Sequence, residues 1–135
     1  SIEGEATARG IGDSVHLVGH REDISQILAT ADLFVFPSHF EGLPGAVIEA
    51  MLAGLPIVAS DVDGNVELIG DGETGILIPP HDPDALASAI RELLANPDRA
   101  QQYGSAAARV SRKDFSIKHM VASFEELYDR LLTEE

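Results

Sequence analysis

The sequence predicts an α/β domain built on a parallel sheet, and three observations carry that class. Short apolar runs alternate with amphipathic stretches along the whole chain. One run, LFVFPS at Leu33 to Ser38, is continuously apolar and carries aromatics, as a parallel strand covered on both faces requires. The amphipathic stretches open and close on helix signals, such as Asp82-Pro83 at a start and Gly54 at an end.

Each element follows in order. Ser1 to Arg9 reads as the end of a helix, with Gly10 and Gly12 as its stop. Val15 to Val18 is a short strand. Glu22 to Ala31 places Ile24, Ile27, Leu28 and Ala31 on one helix face. Asp32 leads into the apolar strand. Gly45 to Ala53 is a helix with Ile48, Met51 and Leu52 on its buried side, ended by Gly54 and blocked by Pro56. Ile57 to Ala59 is the next strand, and Gly75 to Ile78 a fourth, entered through the DGETG turn at Asp71 to Gly75 and closed by Pro79 and Pro80. Asp82 caps and Pro83 begins a helix striped by Leu86, Ile90, Leu93 and Leu94, which Asn96-Pro97 stops. Ser116 caps a last helix whose stripe is Met120, Val121, Phe124, Leu127, Leu131 and Leu132. Neither repeats nor a low-complexity linker interrupt the pattern.

Composition narrows the function. The 135 residues, 44% of them hydrophobic, suffice for one domain with a core. The absence of cysteine excludes disulfides, thiolate metal sites and a thiol nucleophile, and fits a cytoplasmic protein. No apolar run is long enough to span a bilayer. A net charge of -14, from 23 acids against 9 bases, makes nucleic acid and anionic membranes poor partners. Any bound anion must therefore be held locally, by backbone N–H groups or one or two placed cations.

In a parallel α/β sheet, ligands sit at the carboxyl ends of the strands. The loop after the apolar strand reads HFEGLPGAVIEA, residues 39 to 50. Pro44 suits a first helical turn, and Gly42 and Gly45 let backbone approach a ligand. The helix N-terminus then offers unpaired N–H groups and the positive end of its dipole, a site for phosphate that needs no lysine. Glu49 lies about one turn into the helix, where its carboxylate can accept from paired hydroxyls such as those of a ribose. Glu41, at the strand's carboxyl end, is placed to bind sugar hydroxyls or stabilise developing positive charge. Ordinary helix capping by a Pro-Gly turn with a nearby acid is the competing reading of the same residues.

The stretch EGLPGAVIEAMLAGLPIVASD resembles the donor-binding segment of retaining GT-B glycosyltransferases, the "glycosyl transferases group 1" family. That family's signature is a Glu, seven residues, then a second Glu, which Glu41 and Glu49 match. DLFVFPS resembles the strand before it, GNVELIGDGETGILIPPHDPDALASAI the stretch after it, and HLVGHREDI the strand of the base pocket. The resemblance covers about residues 10 to 132. It implies a Rossmann-like fold, the C-terminal donor domain of a GT-B enzyme. Glu49 would bind the ribose of a nucleotide-sugar donor and Glu41, the catalytic candidate, the donor sugar. The amides around Gly42, Leu43 and Gly45 would meet the diphosphate, and His20 and Arg21 would lie beside the base. Many relatives carry Asn where this chain has Gly45. No cofactor or metal is implied, since the nucleotide-sugar is a substrate.

Other residues read as less specific. His39 is a loop residue that could reach phosphate, His16 a solvated strand residue, and His81 and His119 lie away from the expected site. Asp61, Asp63 and Glu67 fit no metal loop. The resemblance places two domains in the full enzymes, with acceptor bound by the N-terminal one. This chain is therefore expected to be a partial donor domain without the first strands or the acceptor domain. It is inactive alone, prone to self-association through exposed strand edges, and membrane-associated at most through its parent. Alternatives are a non-catalytic nucleotide-sugar-binding or assembly module, and a nucleotide-sugar epimerase of the same fold.

Overall fold

A computed structural model describes residues 1 to 133. In chain order the elements are α1 (Ile2–Ala8), a 3-10 turn (Gly12–Ser14), α2 (Ile24–Ala29), β1 (Phe34–Phe36), α3 (Gly45–Leu52), β2 (Ile57–Ser60), α4 (Asp63–Val66), β3 (Ile76–Ile78), α5 (Pro83–Ala95), α6 (Pro97–Asp114) and α7 (Ile117–Thr133). The three strands form one parallel sheet in the order β1-β2-β3. Phe34 pairs with Ile57, and Ala59 with Leu77, so the chain steps across the sheet one strand at a time.

The pleat sends alternate residues of β2 to opposite faces. Ile57 and Ala59 pack with Val47, Ala50 and Met51 of α3, beneath Ala107 of α6. Val58 packs on the other face with Ile78, Ala89, Leu93 and Tyr103. All four residues of β2 are buried, which is why that strand reads as apolar without alternation. The helix ends follow their chemistry. Asp82 Oδ1 accepts from the Ala85 amide at 2.8 Å with Pro83 at the first helical position. Gly54 takes the left-handed conformation, φ 75°, just past α3. Ser116 Oγ accepts from the His119 amide at 3.2 Å at the start of α7.

Three expectations need correction. Val15 to Val18 is not a strand. Among the described residues nothing pairs with it, and Leu17 and Val18 are exposed. A strand needs a neighbour to satisfy its backbone. Asn96-Pro97 stops α5 as expected, but Asn96 also stands at the N-cap of α6, an unforeseen helix of 18 residues that Pro97 opens. Pro is tolerated at a first turn because its missing N–H is unpaired there anyway. The apolar stripe of α7 faces no core, and none of that helix's residues is buried. His81 does not lie apart from the site end of the sheet, as its geometry below establishes.

Candidate functional site

The site end of the sheet is built by the segments that leave β1, β2 and β3. From β1 the chain passes through residues 37 to 44 into α3. Pro44 sits at the N-cap with φ -75° and ψ 109°, and no side chain caps α3. Its carbonyl accepts from the Val47 amide at 3.1 Å, while the Gly45 and Ala46 amides have no acceptor among the described residues. Those two donors and the dipole of α3 give a local positive end without a cation. A Cβ added at Gly42 or Gly45 would meet nothing within 4 Å, so the space in front of these amides is open.

Glu49 is exposed on α3, one turn in. It borders a cleft of about 640 Å³ between α2 and α3, which it shares with Arg21, Glu22, Ser25, Leu28 and Leu52. Arg21 thus shares this cleft with Glu49. His20 is exposed in the same loop but does not line the cleft. The Arg21 guanidinium is committed: its Nε and Nη2 donate to the two Asp23 carboxylate oxygens at 2.8 and 2.6 Å. This bidentate pair raises the Arg21 pKa and lowers that of Asp23, the partner's hydrogen bond being the main cause in each case. With Arg21 held by Asp23, the cleft itself gives an anion little cationic help, and the α3 amides are left to provide it.

Glu41 is half-buried and lies outside that cleft, beyond the N-terminus of α3. The two glutamates thus flank the free amides rather than share one pocket. Leu43 is exposed beside them. What fixes the Glu41 backbone comes from β2. Gly64, at the start of α4, is packed so closely that a Cβ there would stand 1.6 Å from the Gly42 carbonyl oxygen and 2.9 Å from that of Glu41. Asn65 is fully buried next to it and donates from Nδ2 to the Ser60 carbonyl at 2.8 Å, tying α4 to the end of β2. From β3, the His81 ring stacks on His39 at 4.1 Å between centroids, with 11° between planes.

Gly64, Asn65 and His81 were missed from the sequence. Only the Asp-Gly-Asn string after β2 gave a hint, and it reads equally well as a turn. Asp61, Asp63 and Glu67 are exposed, and no three His, Asp or Glu side chains converge as a cation site among the described residues. No described helix is long and apolar enough to cross a membrane.

Residues 1 to 110 match the family model described as "Glycosyl transferases group 1". The chain belongs to the glycosyl transferases group 1 family. The alpha-maltose-1-phosphate synthase of Mycolicibacterium smegmatis is 39% identical over 114 residues, 80% of this chain and 30% of that protein. The sucrose-phosphate synthase of Thermosynechococcus elongatus superposes with a TM-score of 0.90 at 33% identity, over 99% of this chain and 34% of that one. The Anabaena protein HepE, solved in complex with UDP-glucose, superposes with a TM-score of 0.86 at 27% identity, over 99% of this chain and 36% of that one. The chain spans 13 to 37% of the length of its curated relatives. The fold is thus the Rossmann-like, GT-B type that the paired glutamates implied.

Proposed function

We propose that this chain is the donor-binding part of a retaining glycosyltransferase, which moves a sugar from a nucleotide-diphosphate sugar to an acceptor with its anomeric configuration kept. The observation that carries this is the arrangement along α3. Glu49 stands in a cleft large enough for a nucleoside, Glu41 stands beyond the helix N-terminus, and free amides lie between them. An extended ligand laid along that line meets acceptors for ribose hydroxyls, then donors for a diphosphate, then an acceptor for sugar hydroxyls. Relatives and structural neighbours that handle sugar phosphates, one of them with UDP-glucose bound, support the assignment.

In this reading Glu49 holds the ribose, the Gly42, Leu43 and Gly45 amides face the diphosphate, and Glu41 orients the sugar. His20 and Arg21 border the base. As the bond to the sugar's anomeric carbon breaks, the diphosphate leaves with the electrons, and the α3 N-terminus stabilises that charge. Metal plays no part in the scheme. The chain is a partial domain, and its acceptor comes from elsewhere.

Titration with UDP-glucose and GDP-mannose, followed by backbone amide shifts, tests this. Shifts are expected at Gly42 to Ala46 and around His20 and Arg21. Loss of the hydrogen bonds to ribose in Glu49→Ala should weaken binding by roughly tenfold to a hundredfold. Binding of neither sugar nucleotide would end the donor reading. Sugar transfer by the chain alone would end the partial-domain reading.

A second reading, an assembly module, is favoured by one observation: α7 carries a full apolar stripe with no described partner. Its test is sedimentation velocity, in which the chain alone should associate with rising concentration.

A further inference from the structure

The loop that carries Glu41 does not hold itself in place. Among the described residues, no hydrogen bond of any kind reaches residues 39 to 43. Its position is set by packing, and two contacts contribute to it. One is the Gly64 backbone under Glu41 and Gly42. The other is the ring stack of His39, two residues before Glu41, on His81.

His81 is unusual in its own backbone. It has φ 62°, the one non-glycine residue in the left-handed region among those described. That conformation is disfavoured for a side chain with a Cβ, and such outliers persist only where their surroundings hold them. The surroundings here are rigid. Ile78 of β3 is buried on one side, and on the other Asp82 caps α5, with Pro83 fixing the next turn. Pro37, Ser60 and Leu86 line a small cavity of about 150 Å³ with the two rings. The stack thus ties a loop with no bonds of its own to an anchored helix start.

We propose that His81 is a positioning residue for Glu41, acting through its stack on His39 to hold the β1–α3 loop against the carboxyl ends of β2 and β3. The part that concerns sugar binding rests on the donor-site reading, while the part that concerns the loop does not. A stacked, nearly parallel ring pair limits the approach, tilt and sliding of both rings, which a lone alkyl contact would not. The Glu41 carboxylate is then presented pre-ordered, so a ligand need not order the loop.

The test uses His81→Asn, which tolerates the left-handed backbone but removes the ring, together with His39→Ala, the double variant, and His39→Phe, which keeps a stacking ring. In the ligand-free chain, His81→Asn and His39→Ala should each shift the Glu41 and Gly42 amides and speed their hydrogen exchange. The double variant should be no worse than either single one, and His39→Phe should stay near wild type. Affinity for UDP-glucose or GDP-mannose, whichever the wild type binds, should fall roughly threefold to tenfold in the ring-deleted variants. Affinity for uridine or guanosine, which carry no phosphate and reach only the Glu49 end, should not change. Loop amides that stay put in both His81→Asn and His39→Ala would overturn the inference. So would additive losses, or a His39→Phe no better than His39→Ala. A wild type that binds neither sugar nucleotide defeats the donor reading, and the ligand-free measurements still decide the role of His81.

Discussion

At the scale of single residues, Gly64 sets where Glu41 can be. The 1.6 Å between its notional Cβ and the Gly42 carbonyl oxygen is far inside van der Waals contact, and the obstacle is backbone, which cannot rotate away. Gly64→Ala must therefore push the Glu41–Gly42 peptide outward. Overpacking of this kind costs about 1–3 kcal/mol, to be read by denaturant unfolding. Affinity for sugar nucleotide should fall with it, while that for uridine or guanosine should be spared. Arg21 presents the opposite case, a residue present but occupied. Asp23→Asn leaves the guanidinium without its bidentate partner, and affinity for UDP or GDP should rise severalfold by titration at low salt. The pH dependence has a definite sign. Asp23 has its folded pKa lowered from 3.8 by Arg21, so the pair's contribution is present above that value and is lost only as pH falls below it. Near neutral pH the Arg21–Asp23 pairing should not change, and a titration step at the Asp23 carboxyl carbon between pH 8 and 6, followed by NMR, would contradict it.

At the scale of elements, legibility followed how each element is held. The segments α3, β2 and α5 carry their own evidence, Gly54 after one helix and Asp82-Pro83 before another, and all three form close to the expected bounds. The spacing of Glu41 and Glu49 is read directly from the sequence, but α3 fixes only Glu49, and the loop before the helix, packed on Gly64, sets Glu41. Helix α6 was not legible because its buried face, apart from Tyr103, is made of Gly104, Ala107, Ala108 and Ser111, small residues that give no strong apolar period. Small residues are what the contact needs: a Cβ at Gly104 would stand 2.0 Å from the Gly54 carbonyl oxygen, so α6 lies directly on the end of α3. Gly104→Ala should force the two apart and destabilise the chain by about 1–3 kcal/mol, measured by denaturant unfolding, even though alanine is the better helix former. If helix propensity won instead, the variant would be more stable. Gly64 and His81 were illegible for a related reason. Each acts across the sheet on a loop distant in sequence, and no local pattern records such a contact.

At the scale of the whole molecule, two surfaces lack the neighbours their sequences call for. Among the described residues, Val15 to Val18 has a strand's composition with no strand to join, and β1 pairs only with β2. The second surface is larger. Along α7, Ile117, Met120, Phe124, Leu127 and Leu131 follow a spacing of alternating three and four, the seam of a packed helix, yet Ile117 is 78% and Phe124 52% exposed. Seventeen residues of helix make a stripe about 25 Å long, beyond the scattered apolar residues of an ordinary monomer surface. In a solution of this chain alone, the only apolar surface able to cover it belongs to another copy. Sedimentation velocity should therefore show concentration-dependent association. Phe124→Glu with Leu131→Glu should abolish it, and the helical circular dichroism of α1 to α6 should persist. Association that survives this double variant would place the contact at the open edge beside β1 instead. A wild-type chain that stays monomeric at every concentration would count against the assembly reading altogether, and would leave the donor cleft along α3 as the feature on which the function of this chain rests.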